Sequence, residues 1–176
     1  ATINARVVIN EVLYNAPDDL EDLEYIELHN SADQPVDLSG WTFNKGIKFA
    51  FAPGTVIGGN GFLVLCRNRE RFQQFYDVPV TGLFNQKLSN KGERLELSDT
   101  SGKTVDAVKY EDGRPWPLGA DGLSGSLERI CPDADGLDAS NWVSSPLSAD
   151  RVKPAGTPGK ANANYSTQLP PAISKV

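Results

Sequence analysis

Asp133, Asp135 and Asp138 form the stretch of this chain that comes nearest to metal chemistry. Carboxylates two and three residues apart, arranged around a bend at Gly136, can converge on one hard cation such as Ca²⁺. The glutamate that closes an EF-hand loop at its twelfth position is missing, so that motif is absent. Asx turns in a surface loop produce the same string, and the plain loop is the preferred reading. A second oxygen-rich stretch holds Asp18, Asp19, Glu21, Asp22 and Glu24, with Glu11 and Glu27 on the neighbouring strands. Such crowded carboxylates repel one another unless a cation or solvent screens them. A solvated acidic rim that keeps a sheet edge from pairing is expected there ahead of a calcium site. Calcium is thus a possible ligand, and no cofactor is required.

Catalysis has little else to draw on. His29 is the only histidine, so a Ser-His-Asp triad would have to run through that one imidazole. It lies on the polar side of its strand, where a surface or cross-strand hydrogen bond is the expected role. No GxSxG, HExxH, P-loop or GxGxxG string occurs. Two cysteines, Cys66 and Cys131, are too few for a structural zinc site. Each ends a strand before a turn, which leaves a disulfide between them or two buried thiols as the alternatives. The chain reads as a non-enzyme.

A net charge of -6 excludes global neutralisation of a phosphate backbone, so nucleic acid is not an expected partner. The one basic cluster, Arg67, Arg69 and Arg71, is interrupted by Glu70 and reads as a solvated helix face. No apolar run is long enough to insert into a membrane, and the first residues lack the pattern of a signal peptide.

The elements that would position these residues are mostly short strands. Residues 7–15 are rich in β-branched residues, and 24–30 alternates apolar and polar positions with one wet face. Further strands are predicted at 36–43, 49–57 (interrupted by Pro53-Gly54), 61–66, 93–99, 104–110 and 126–131. Residues 68–76 form the single helical candidate, capped by Asn68, with Phe72, Phe75 and Tyr76 on one face. Seven to nine short strands separated by turns predict an all-β, immunoglobulin-like antiparallel β-sandwich with one short helix. It spans residues 1–151. Residues 152–176 lose all periodicity and are rich in Pro, Ala and Asn, which predicts a poorly ordered linker leading to a further module, stiffened at Pro170-Pro171.

Several strings together resemble the lamin-tail domain family in its bacterial extracellular form. They are Ile9-Asn10-Glu11-Val12 with Tyr14-Asn15, Glu24-Tyr25-Ile26-Glu27-Leu28-His29-Asn30, Val36-Asp37-Leu38-Ser39-Gly40-Trp41, Phe51 through Gly54-Thr55, Gly61-Phe62-Leu63-Val64-Leu65 and Leu88-Ser89-Asn90-Lys91-Gly92-Glu93. Toward the C-terminus, Pro115-Trp116-Pro117, Ala120-Asp121-Gly122, Ser126-Leu127-Glu128-Arg129, Asn141-Trp142 and Gly156-Thr157-Pro158-Gly159 followed by Asn162 are similar to a longer bacterial subtype. The resemblance implies a non-catalytic immunoglobulin-like module of a larger extracellular or cell-envelope protein, serving adhesion, anchoring or partner recognition. An extracellular setting would favour the Cys66–Cys131 disulfide.

Within that frame Trp41 is expected to plug the core after a turn. Glu27 and Arg129, each flanked by apolar residues, are candidates for a partly buried ion pair joining two strands. Gly92 is expected at positive φ in its turn. Trp116, between two prolines, is the candidate aromatic for an alternative role, an accessory carbohydrate- or substrate-targeting domain of a secreted hydrolase. A protein or polysaccharide partner, met by a monomeric module within a multidomain chain, completes the expectation.

Overall fold

Short β-branched and aromatic segments separated by Gly, Pro and Asp turns leave the chain few options besides pairing strands. In chain order the strands are β1 (Val7–Leu13), β2 (Tyr25–Asn30), β3 (Val36–Asp37), β4 (Thr42–Lys45), β5 (Phe49–Ala50), β6 (Val56–Ile57), β7 (Phe62–Cys66), β8 (Val80–Leu83), β9 (Gly92–Ser98), β10 (Thr104–Glu111), β11 (Leu127–Arg129) and β12 (Trp142–Ser144). One helix, α1 (Arg69–Gln73), lies between β7 and β8. The structure is a computed structural model and describes residues 6–18, 20–150 and 152–169. Asp19 and Pro170-Pro171, which carry parts of the acidic-loop and linker expectations, lie outside the described residues.

Two sheets face each other as an immunoglobulin-like β-sandwich. A six-stranded sheet runs β12-β11-β1-β2-β7-β8, a four-stranded sheet runs β10-β9-β4-β5, and β3 pairs with β6. Among the described residues every pairing of two strands is antiparallel except β7 with β8. Between the sheets, Ile9, Val12, Ile26, Leu28, Leu63 and Leu65 meet Phe43, Leu95, Leu97, Val108 and Tyr110. Full burial of one such side chain contributes about 1.5–3 kcal/mol, which makes this layer the main source of stability. Trp41 lies in it, and Tyr14 stacks on Tyr110 with ring centroids 4.4 Å apart.

The strand predicted over 36–43 is split into β3 and β4. Gly40 turns at φ +74 and the Trp41 amide bonds back to the Leu38 carbonyl, so periodicity passes through a bend that the chain takes. Gly92 has φ +118, as its turn demands. Helix α1 is shorter than 68–76. Its Asn68 cap accepts the Arg71 amide, and Phe72 alone of its residues is fully buried.

An extra residue in β1 sets the polarity of the outer face. Ile9 stands opposite Leu28 and Glu11 opposite Glu27, so Asn10 is a bulge. It lets Ile9 and Val12 both point into the core while Asn10 and Glu11 both point outward. The wet face expected of β2 is dry: all of Tyr25–Asn30 is buried. One end of that face is covered by a second apolar cluster, with Leu13, Leu23, Tyr25, Val64, Cys66 and Phe72 beneath α1. The other end is covered by residues 155–166. The stretch expected to be a poorly ordered linker is therefore, over these residues, a strap tied to the sheet. The Ala155 carbonyl accepts from Tyr76 Oη, Thr157 N donates to Glu11, and Ser166 N donates to the Ile130 carbonyl. Polar, aperiodic sequence reads as solvated coil, and here its backbone groups are satisfied by buried side chains instead.

Cys66 and Cys131 are buried free thiols, not a disulfide. They lie on β7 and just beyond β11, with β1 and β2 between those strands. Three strand spacings amount to roughly 14 Å, against a disulfide limit of about 7 Å between Cα atoms. Burial pushes the Cys66 thiol up to about 11, which further suppresses its reactivity. Native protein at pH 8 is expected to leave both thiols unmodified by an aromatic disulfide reagent, and denatured protein to titrate two. Rapid modification of either in the native state would contradict this packing.

Candidate functional site

The polar residues with unusual surroundings gather on the outer face, where β11, β1 and β2 run side by side. Glu11 stands directly opposite Glu128 on one side and Glu27 on the other, giving a row of three glutamates across three strands. Like charges placed in this way destabilise a sheet unless something compensates. The compensation comes from the strap and from polar side chains of the sheet itself. Glu11 Oε1 accepts Tyr25 Oη at 2.6 Å, Ser126 Oγ and the Thr157 amide at 2.8 Å. Glu27 accepts Asn10 Nδ2 at 2.9 Å and the Gly159 amide. Glu128 accepts Thr157 Oγ1 at 2.7 Å and the Ala163 amide at 3.0 Å. Between them, Asn162 Nδ2 donates to the carbonyls of Asn10 and Arg129 while its Oδ1 accepts Asn10 Nδ2.

Burial dominates the electrostatics of the row. It pushes the Glu11 carboxyl up to about 7 against the lowering effect of its hydrogen bonds. It raises Glu27 well above the carboxylate range, with the Glu11 charge adding to the effect. Glu128 is raised for the same first reason. Raised carboxyls are one mark of a general acid, but such an acid needs a substrate beside it. Here the groups that meet these oxygens belong to the fold itself, the strap's amides together with the side chains of Tyr25, Ser126, Asn10 and Thr157.

A cleft of about 220 Å³ opens beside the strap, between Asn10, His29, Asn60, Phe62, Asn162 and Tyr165. His29 and Phe62 stack at 4.4 Å with their planes 16° apart. Of the two roles expected of His29, a surface one or a cross-strand hydrogen bond, it takes the second. It is buried, its Nδ1 lies 3.0 Å from the Gly61 carbonyl, and burial holds its imidazole below the usual value. Tyr165, from the strap, is 45% exposed at the cleft mouth.

The three aspartates singled out as calcium ligands do not come together. Asp133 pairs with Arg6 at 2.9 Å, Asp135 accepts the Leu137 amide, and Asp138 accepts the Ser140 amide. Among the described residues no group of three His, Cys, Asp or Glu side chains is placed to hold a metal ion. The acidic loop is pinned at its C-terminal end, where Asp22 accepts from Asn68 and Arg71, and Glu24 is buried, accepts the Leu88 amide and lies 3.7 Å from Arg67, while Asp18 and Glu21 stay exposed. The arginine cluster is correspondingly engaged, with Arg69 donating to the Val80 carbonyl. Glu27 and Arg129 are not partners. Arg129 turns into the sandwich edge and bonds Asp106 of β10 at 2.7 Å, because β11 alternates Glu128 outward and Arg129 inward. Trp116 is buried against Trp142, 6.3 Å between ring centroids, and presents no face to a ligand.

A family model described as Lamin Tail Domain matches residues 1–112, most of the chain. The chain belongs to the lamin tail domain family. Lamin tail domains are immunoglobulin-like and generally non-enzymatic, consistent with raised carboxyls that face the fold itself. The match to the lamin tail domain model ends just after β10, so β11, β12 and the strap follow the matched residues. A search of curated proteins finds no match to this lamin tail domain.

Proposed function

We propose that the chain is a non-catalytic recognition module of a larger extracellular or cell-envelope protein, presenting the cleft beside the strap to a protein or polysaccharide partner. The observation that carries this reading is the lining of the cleft. Phe62 and Tyr165 supply aromatic surface, and Asn60 and His29 supply polar edges. Apolar walls with a few converging polar groups are the usual composition of a recognition site. That mixture favours a sugar ring, whose C–H face packs on an aromatic ring while its hydroxyls bond to amides. It thereby supports the accessory carbohydrate-targeting role, at a place other than Trp116. The net charge of -6 argues against polyanionic partners.

Amide NMR titration with soluble oligomers of glucose and of N-acetylglucosamine tests the reading. The expected result is saturable shifts at Asn60, Phe62 and Tyr165, and at least a tenfold weaker affinity in Tyr165→Ala. Shifts confined to other surfaces, or an unchanged affinity in Tyr165→Ala, would remove the cleft as the recognition site. No response to any sugar would discard the polysaccharide partner.

A further inference from the structure

Three glutamates sit shoulder to shoulder across β11, β1 and β2, and residues 156–163 of the strap are what keep water from them. Each carboxylate is bonded to a different strap amide, Thr157 on Glu11, Gly159 on Glu27 and Ala163 on Glu128. The strap is held by hydrogen bonds rather than by apolar packing: among residues 155–166 only Pro158 and Asn162 are buried. Segments with few buried apolar contacts occupy the low end of local stability. Gly156 meanwhile packs so closely, at φ +111, that a Cβ there would lie 2.7 Å from Glu11 Oε1. We propose that the glutamate row makes this strap a proton-dependent closure, seated while the carboxyls share protons and released once all three are ionised.

The groups facing the row offer no other way to neutralise it. Tyr25 from β2 and Tyr76 from the segment after α1 are driven further toward their neutral forms by burial. Ser126 and the strap residue Thr157 are neutral donors. Lys160, on the strap itself, is the cation that acts on the row, and it acts on Glu128. Ionising the row under the strap therefore places adjacent like charges in a dry layer, whereas lifting the strap restores their hydration. The strap also contributes Ala161, Asn162 and Tyr165 to the cleft, so its release takes away one wall. That consequence for binding rests on the recognition role proposed above; the release itself does not.

Hydrogen exchange on the full chain between pH 5.5 and 8.5, corrected for the intrinsic rate, needs no ligand and so tests the strap separately from the cleft. Protection of the Thr157, Gly159 and Ala163 amides is expected to fall about tenfold per pH unit above pH 7, the slope of one released proton. The amides of β9 and β10 should keep their protection over the same range. Glu27→Gln should recover strap protection at pH 8.5, with Glu128→Gln as the substitute if that variant fails to fold. Gly156→Ala should lose strap protection at every pH and define the open baseline. Strap protection that stays level across the range, or falls in step with β9 and β10, overturns the proposal.

Discussion

Arg129→Ala is expected to remove about 3–5 kcal/mol of folding stability, the cost of leaving a buried charge without its partner. The Arg129 side chain is 2% exposed. Its guanidinium donates to Asp106 Oδ2 at 2.7 Å and to the carbonyls of Ile9, Cys131 and Ala134, and its Cζ lies 5.8 Å from the Trp142 ring centroid. The same Asp106 oxygen accepts the Ile9 amide at 2.8 Å, so one carboxylate ties β10 to the bulged strand of the opposite sheet. Burial raises Asp106, and Arg129 opposes that rise. Without the guanidinium, Asp106 must either ionise unpaired or take a proton. The double variant Arg129→Met with Asp106→Asn removes both charges and should recover much of the loss, because a buried pair is worth less than its breaking costs. Urea denaturation of the wild type, Arg129→Met, Asp106→Asn and the double variant measures the coupling directly. A cycle with Glu27→Gln in place of the Asp106 change should be additive. Strong coupling to Glu27 and none to Asp106 would contradict the pairing described here.

The second large effect is a stability that rises as pH falls. Glu11 moves from an ordinary 4.5 to about 7 on folding. A group raised in this way contributes stability that is fully present below its unfolded value and is lost as pH rises through its folded one. For Glu11 the window runs from about pH 4.5 to about pH 7, and the shift corresponds to about 3 kcal/mol. Release of the strap limits how far the loss proceeds above that window, since hydrated glutamates no longer resist ionisation. Glu24, pushed up to about 7 by burial, acts in the same direction. His29, held low by burial, acts in the opposite one, because its neutral form is the one that fits. Asp22, Asp37, Glu96, Asp99 and Asp138 are lowered by their hydrogen bonds. Their contributions disappear only as pH falls through the depressed values, below about 4. Thermal melts should therefore climb from pH 8 toward pH 5, by roughly 6–12 °C if the full shift is expressed. Glu11→Gln should raise the melting temperature at pH 8 and flatten the climb. A wild-type melting temperature that declines from pH 8 to pH 5 would refute this account of the row.

The strands were legible because period-2 alternation reports directly on a two-layer core, the helix because Asn68 caps an apolar i, i+3, i+4 face, and the family only through the resemblance of its strings. Val7, Ile26, Leu63 and Leu97 needed no tertiary information to be placed inward. The outer face was not legible, for a physical reason. Alternation says which residues point away from the core, not whether another segment lies over them, so the face of β2 that carries Glu27 and His29 read as wet. The cover comes from a stretch whose glycines, proline and asparagine carry no periodicity, and the contacts that seat it on β1 and β2 join residues well over a hundred positions apart. Arg129 illustrates the same limit. Its apolar neighbours signal burial, but the choice of Asp106 over Glu27 depends on β11 lying at the side of the sandwich where β10 crosses β1. The parallel strand β8 and the three-residue β12 are too short for any pattern to mark them.

The glutamate row also acts as a register key for the sheet. If β1 slid by one residue against β2, Glu11 would turn into the layer occupied by Tyr110 and Leu28, and Val12 would take its place beneath the strap amides. An apolar residue tolerates such an exchange at modest cost, whereas a carboxyl thrust among aromatic rings does not. Because the row spans three strands, each glutamate checks the alignment of its neighbour. Residues that weaken the native sheet at high pH thus make its misaligned alternatives far worse.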